Sequence, residues 1–162
     1  SSSLKAIHNN DRTSPRNPAL VFNFFNVKIA DFEFRDFEFS RKNWKPLFDK
    51  YGVDLVLNGH DHTYARGHVP VKSQDENKSG NFNTLYITSV SGPKQYKIGL
   101  QQLEDYKTDG YLSNKIGEQT QFFQVISIED ESLIYKAYTA LGDEYDMAII
   151  TKDFTTGIKT LK

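Results

Sequence analysis

The sequence predicts an α/β (α+β) fold, in which a helix packs on a sheet and the chain closes with antiparallel strands. The helix is predicted by apolar residues at the spacing of one helix face, namely Trp44, Leu47, Phe48 and Tyr51. Residues 53–57 follow at once, and their short, apolar, β-branched composition is typical of a strand buried on both faces of a parallel sheet. Apolar stretches joined by short polar turns predict the closing meander, at 121–129, 132–138 and 145–152.

The segments around the helix carry weaker signals. Residues 19–29 are rich in Val, Phe and Ile and predict a strand, and residues 31–39 contain alternating Phe residues and predict an extended segment. Gly52 suits the left-handed position that ends a helix. Pro46 lacks the backbone N–H that an inner turn needs, so we expect it in the first turn or at a kink.

Beyond the buried strand the predicted elements become shorter. We predict a strand at 68–71, a polar loop at 74–83 and a strand at 84–90. Residues 93–120 are polar and tyrosine-bearing, and their apolar spacing fits neither a helix nor a strand. We therefore predict a surface insertion there, within a single partial domain that spans residues 1–162.

Composition limits the classes of partner and of metal site. Lys and Arg total 20 against 21 Asp and Glu, so no basic excess exists to neutralise a phosphate backbone, and we expect no nucleic-acid partner. The longest apolar stretches, at 19–29 and 53–57, are far shorter than the roughly 20 residues of a membrane helix, so we expect no membrane partner. The chain has no cysteine, so any metal must be held by His, Asp, Glu or Asn.

A candidate metal site follows the buried strand. His60 and His62 lie one residue apart, and Gly59 allows the backbone to bend closely around an ion. In open α/β sheets ligands gather beyond the carboxyl ends of the strands, where this turn emerges. From the residues alone, a structural or solvated role for the two histidines is an equal alternative. His8, in a polar loop, and His68, on a predicted strand, are weaker candidates.

The turn at residues 59–62, Gly-His-Asp-His within the segment 44–66, resembles the motif of the calcineurin-like metallophosphoesterases, and most closely that of their purple acid phosphatase branch. Later segments are similar to strands of the same branch, at 85–93, 123–128 and 137–146. The resemblance extends over residues 35–152. It implies the C-terminal half of a metallophosphoesterase β-sandwich that is flanked by helices.

For the site, the resemblance implies a centre with two metal ions. His60 and His62 would each bind a different ion, and zinc, manganese and iron all accept imidazole nitrogen. Asn58, Asp61 and Arg66 would support these ligands or contact a phosphate ester substrate, with a purely structural role as the alternative that we favour for Arg66. The branch is commonly exported, which implies a periplasmic or secreted location.

The chain departs from the family in the residues that would complete the site. In the family, Asp-x-His, Gly-Asp-x-x-Asp/Tyr and Gly-Asn-His turns come before the histidine turn, and none of them occurs in residues 1–58 of this chain; Asn23 stands where the family has a His ligand. We therefore expect a fragment of a phosphatase or phosphodiesterase that is inactive on its own. Its unpaired strands are expected to favour self-association.

Two alternative hypotheses remain open. One is a degenerate, non-catalytic phosphatase-like module kept for binding, which Asn23 favours. The other is a single zinc ion that bridges two copies of the chain through His60 and His62. Hydrolysis of a phosphate ester by a longer protein would favour the phosphatase fragment over the binding module. Metal-dependent dimerisation would favour the shared zinc ion.

Overall fold

Two facing β-sheets make up most of the structure. The computed structural model describes residues 25, 27–30, 43–59, 62–71, 82–108 and 110–162. A five-stranded sheet comes from the first part of the described chain and a four-stranded sheet from the last part. Most of the described strand pairings are antiparallel, and the described helices are short.

The five-stranded sheet is mixed. Its strands are β1 (Val27–Ala30), β2 (Leu55–Asn58), β3 (Tyr64–His68), β4 (Leu85–Thr88) and β5 (Leu112–Gly117), in the spatial order β1-β2-β4-β3-β5. β1 and β4 run parallel to β2 on its two sides, whereas β3 runs antiparallel to β4 and β5. The predicted buried strand at 53–57 is therefore confirmed as β2, and the predicted strand at 84–90 is confirmed as β4.

The four-stranded sheet is an antiparallel meander. It consists of β6 (Phe122–Glu129), β7 (Ser132–Thr139), β8 (Glu144–Lys152) and β9 (Lys159–Leu161), each paired with the next. The first three strands confirm the predicted meander. The fourth was not predicted, because three residues are too few to show a period of two.

The main hydrophobic core lies between the two sheets. Leu55, Tyr64 and Leu85 contribute from the five-stranded sheet, and Leu133 and Tyr135 contribute from the four-stranded sheet, all of them fully buried. Residues of one face alternate with residues of the other along each strand, so each sheet directs one set of side chains inward. The result is a sandwich-type fold.

The two described helices cover the other face of the five-stranded sheet. They are α1 (Lys45–Lys50) and α2 (Leu100–Thr108), and Phe48 and Leu103 pack against a second cluster formed by Val53, Val56, Tyr86 and Tyr111. Pro46 lies in the first turn of α1 and Gly52 has a φ of +61°, as the sequence predicts. The expected α/β balance is corrected, because helices of six and nine residues leave a fold that is mostly β.

Two predicted segments differ from the structure. The strand expected at 68–71 lies earlier, as β3, because its partners β4 and β5 pair with residues 64–68 and Pro70 has no N–H to donate. The segment 93–120, expected to lack regular elements, contains α2 and β5. β5 escaped detection because it is a polar edge strand of the described sheet, with its first three residues exposed.

A close backbone approach at Gly67 accommodates a bulge between β3 and β5. The register shifts between Arg66 and Gly67, and a Cβ at position 67 would lie 2.9 Å from the carbonyl oxygen of Leu112. Only glycine fits there without a shift of the backbone.

The extended segment predicted at 31–39, most of the predicted strand at 19–29 and most of the loop predicted at 74–83 lie outside the described residues. In the part of the chain that the structure describes, no helix is long and apolar enough to cross a membrane.

Candidate functional site

The candidate metal turn leaves the sheet at the carboxyl end of β2. Asn58, the last residue of that strand, lies beside Thr88, the last residue of the parallel strand β4. The described chain continues at His62, just before β3. His60 and Asp61 lie outside the described residues, so only one of the two predicted ligands has a described environment.

The His62 ring is held by the segment that follows β4. Its Nδ1 lies 2.7 Å from the backbone oxygen of Lys94, and the backbone N–H of Tyr96 donates to the His62 carbonyl oxygen over 2.8 Å. The Tyr96 ring packs beside the imidazole, with 5.2 Å between the ring centroids. A carbonyl oxygen only accepts, so Nδ1 is the donor in this contact, and Nε2 is the ring nitrogen left for a metal ion. Metal-binding histidines commonly have this arrangement, with one nitrogen donating to a backbone carbonyl.

The described residues supply only part of a metal site. Within the ranges that the structure describes, no three His, Asp or Glu side chains lie close enough to hold one ion. His62 has the right chemistry for zinc, manganese or iron, but one imidazole does not make a metal site. The fit to a two-metal centre is therefore partial.

Arg66 points into the space between the sheets. Its Nε and Nη2 donate to the two carboxylate oxygens of Asp146 over 2.7 and 2.9 Å, and the Tyr64 hydroxyl donates to the same carboxylate over 2.7 Å. Burial lowers the pKa of Arg66, but the hydrogen-bonded carboxylate of Asp146 raises it, with a net increase. Such a paired contact holds the guanidinium in one geometry. Arg66 thus makes an ion pair with a carboxylate of the other sheet, and a contact with substrate stays a prediction.

The Asn58 side chain lies on the opposite, helix-covered face. It is 7% exposed, and neither its amide nitrogen nor its oxygen has a hydrogen-bond partner among the described residues. Its side chain borders a recess that Tyr86 and Tyr111 also line. A role for Asn58 in supporting the metal turn or contacting substrate stays a prediction.

Among the described residues, His68 does not add to the site. His68, at the far end of β3, donates from Nδ1 to the Asn114 side-chain oxygen over 2.7 Å and packs edge-on against Phe82. His68, on β3, is thus a partly buried side chain with partners of its own. His8 and Asn23 lie outside the described residues.

Sequence reasoning missed a buried charge cluster beneath the start of β2. Asp54 is fully buried, and its carboxylate accepts from Lys152 Nζ over 2.9 Å and lies 3.1 Å from Lys159 Nζ. Burial lowers the pKa of Lys159, although the nearby Asp54 carboxylate acts to raise it. The only sequence signal was a charged residue at the start of an apolar strand, and it gives no indication of the two lysines about 100 positions later.

Comparisons with known proteins bear on the fold more than on the chemistry. The structure of purple acid phosphatase PPD1 from yellow lupin (Lupinus luteus) seeds matches 80% of this chain and 25% of that chain, with a TM-score of 0.54 and 19% sequence identity. The chain has a purple acid phosphatase-like fold. At this identity the likeness shows the fold alone.

Matches at the level of sequence are short. The uncharacterized proteins MT2654 and Rv2577 of Mycobacterium tuberculosis, from strains CDC 1551 / Oshkosh and H37Rv, are each 61% identical to this chain over 28 residues. That stretch is 17% of this chain and 5% of either relative. No family model matches the chain.

Proposed function

We propose that the chain is part of a metal-dependent phosphoester hydrolase, to which it contributes the two histidines of the Gly-His-Asp-His turn. The observation that carries the proposal is the His62 imidazole. It lies beyond the carboxyl end of a central parallel strand, with Nδ1 2.7 Å from the Lys94 carbonyl oxygen, which leaves Nε2 as the nitrogen for a metal ion. The purple acid phosphatase-like fold supports the same proposal.

In this proposal His62, through Nε2, and His60 each hold one ion of a two-metal centre. Zinc, manganese or iron in such a centre lowers the pKa of a bound water and stabilises in-line displacement at a phosphate ester. The backbone contacts of His62 with Lys94 and Tyr96 hold its ring in one orientation for metal binding. The other ligands come from outside this chain, so the isolated chain does not hydrolyse phosphate esters.

The proposal also covers the longer protein, its substrate and its location. The chain spans 5% of the curated relatives and 25% of the solved phosphatase that it matches, so the activity belongs to a longer protein. Its partner is a phosphate ester, and its location is periplasmic or secreted.

A second candidate is a non-catalytic, phosphatase-like binding module. It is favoured by the lack of any three-ligand group in the described ranges and by Asn23, a weak ligand for zinc or iron. This candidate requires no metal for function.

The first test is metal binding by the purified chain. Titration calorimetry with zinc and with manganese is expected to show binding that His62→Ala and His60→Ala each weaken strongly. His68→Ala, which removes an imidazole at the far end of β3, is the matched control and is expected to bind as the parent does. A parent chain that binds neither metal, or variants that bind unchanged, would contradict the half-site.

Hydrolysis is tested in a longer protein that contains this chain. We expect metal-dependent cleavage of a generic aryl phosphate, lost in His60→Ala and His62→Ala and kept in His68→Ala. A longer protein with intact metal binding and no cleavage of mono- or diesters would favour the binding module. Metal-dependent dimerisation in sedimentation would instead favour one zinc ion shared between two copies.

A further inference from the structure

The segment that follows β4, residues 90–98, is bonded to the rest of the structure at both ends. At its start, the Phe122 N–H donates to the Val90 carbonyl oxygen over 2.8 Å. At its end, the Ile98 N–H donates to Glu118 Oε1, also over 2.8 Å. We call residues 90–98 the strap. Because the strap is held at the start of β6 and just beyond β5, its middle has a defined place beside the metal turn.

The His62 ring has only one hydrogen bond to keep it in orientation. The bond from Nδ1 to the Lys94 carbonyl oxygen lies at the surface, where water competes for the same oxygen. An imidazole also turns readily about its Cβ–Cγ bond, since this torsion has broad minima. A further contact on the face of the ring opposes that rotation and keeps Nε2 in one direction.

Tyr96, in the middle of the strap, makes this further contact. Its ring lies 5.2 Å from the imidazole, centroid to centroid, with 45° between the two planes, which is within the range of favourable aromatic pairs. The backbone N–H of Tyr96 donates to the His62 carbonyl oxygen over 2.8 Å, so the two residues are joined at the main chain as well. The Tyr96 side chain is half-buried, and its ring therefore shields part of the imidazole from water.

Lys94 holds the same tyrosine ring. Its ammonium nitrogen lies 5.1 Å from the centroid of the Tyr96 ring, at the distance of a cation–π contact. The Lys94 backbone oxygen thus contacts His62, while its side chain contacts the ring that packs on His62. These contacts restrict the Tyr96 ring in turn.

We propose that Tyr96 is a positioning residue for the metal ligand His62. Its ring limits rotation of the imidazole before metal arrives, so less freedom is lost on binding and Nε2 stays directed at the ion. Tyr96 acts through His62 and has no direct part in the chemistry. The inference rests on the proposed function, because it takes His62 to be a metal ligand.

Zinc titration of the purified chain tests the role of the ring. Tyr96→Ala is expected to weaken zinc binding about tenfold, a loss that is common when a residue supporting a metal-bound histidine is removed. Tyr96→Phe keeps the ring and is expected to retain most of the affinity of the parent. Unchanged affinity in Tyr96→Ala, or an equal loss in Tyr96→Phe, would refute the role of the ring.

Tyr138→Ala is the matched control. Tyr138 is also half-buried and also packs on a single ring, that of Phe123 at 5.3 Å, but on the outer face of the four-stranded sheet. The control is therefore expected to bind zinc as the parent does. Equal weakening in Tyr138→Ala and Tyr96→Ala would show a general loss of stability and would overturn the positioning role.

The His62 ring gives a second readout that requires no metal. Nitrogen NMR spectra of the metal-free chain at pH 8 show whether Nδ1 or Nε2 carries the hydrogen. His62 is expected to carry it on Nδ1 in the parent and in Tyr96→Phe. In Tyr96→Ala the ring is expected to leave the Lys94 oxygen part of the time and to show a mixture of both forms. Identical His62 spectra in the parent and Tyr96→Ala would overturn the proposal.

The outcome for the parent chain separates this inference from the proposed function. A parent chain that binds no zinc would refute the proposed function, and the positioning of a metal ligand with it. A parent chain that binds zinc through His62, with Tyr96→Ala equal to it in affinity, would refute the positioning role alone.

Discussion

Arg66 on β3 and Asp146 on β8 join the two sheets through a pair of hydrogen bonds of 2.7 and 2.9 Å. Both side chains are largely buried, at 11% and 6% exposed. The Tyr64 hydroxyl donates to the same carboxylate, and the Tyr135 hydroxyl lies 3.2 Å from that of Tyr64. The contact therefore extends a polar network into an otherwise apolar core.

Arg66→Ala is expected to destabilise the chain strongly. The change leaves the Asp146 carboxylate buried without its cation, and breaking one partner of a buried pair costs about 3–5 kcal/mol. Urea denaturation measures the loss. Lys136→Ala, which breaks the more exposed ion pair with Glu144, is the control and is expected to change stability little. Equal losses in the two variants would show that the buried ion pair stabilises the chain no more than the exposed one.

Asp54→Ala is expected to have an effect of similar size at the other charge cluster. The change removes the buried carboxylate that faces Lys152 and Lys159, and breaking one partner of a buried ion pair costs about 3–5 kcal/mol. Glu104→Ala, which removes an exposed partner of Lys107, is the matched control. Stability within experimental error of the parent after Asp54→Ala would contradict a structural role for the cluster.

Lys159 is expected to make stability rise with pH in the alkaline range. Burial lowers its pKa in the folded state, whereas the unfolded chain has a pKa of about 10.4. Between these two values the unfolded state binds more protons, so the free energy of unfolding increases with pH. Lys159→Met is expected to remove this increase in denaturation curves collected from pH 7.5 to 10. Parallel pH profiles for parent and variant would be the contrary result.

Tyr64 is expected to make stability fall as pH rises above about 10, the opposite of the effect of Lys159. Its pKa is raised by burial first, and then by Tyr135 and Asp146. Above the unfolded value of about 10 the unfolded state loses the phenol proton first, so this contribution to stability falls as pH rises. Tyr64→Phe is expected to be less stable near neutral pH, because its bond to Asp146 is lost, and to lose less stability above pH 10. A steeper alkaline loss in the variant would contradict this assignment.

The sequence predicted the elements that have their own local signal. The helix before Gly52, the apolar strand β2 and the meander of β6 to β8 each show a hydrophobic period within a few residues. β5 contains Ser113, Asn114 and Lys115 and becomes a strand through pairing with β3, which no local pattern reveals. Tertiary pairing overrides local preference in such edge strands.

In the candidate site, too, sequence reasoning reached the features that have a local signal and missed those that depend on distant residues. The position of His62 beyond β2 follows from a short motif and a buried strand. Its partner, the Lys94 carbonyl oxygen, is 32 positions away and depends on how the chain after β4 returns to the turn. The Asp54 cluster depends on residues 98 positions apart, so it too was beyond reach of a single sequence.

The outer face of the four-stranded sheet carries partly exposed apolar side chains. Phe123, Val125 and Met147 are 47%, 45% and 44% exposed, and β6 is an edge strand among the described strands. The net charge of −1 gives little electrostatic repulsion between copies. Edge strands with apolar side chains tend to pair with other chains.

Self-association of the isolated chain through β6 is therefore expected to depend on concentration and to weaken in Val125→Lys. A lysine on an edge strand opposes pairing with a second copy, because it sets like charges close together across the new contact. Sedimentation velocity over a concentration series measures the association. Thr155→Lys adds the same charge in an exposed loop and is expected to associate as the parent does. Equal weakening by both lysines would point to net charge rather than β6, and a parent that stays monomeric at high concentration would remove the interface.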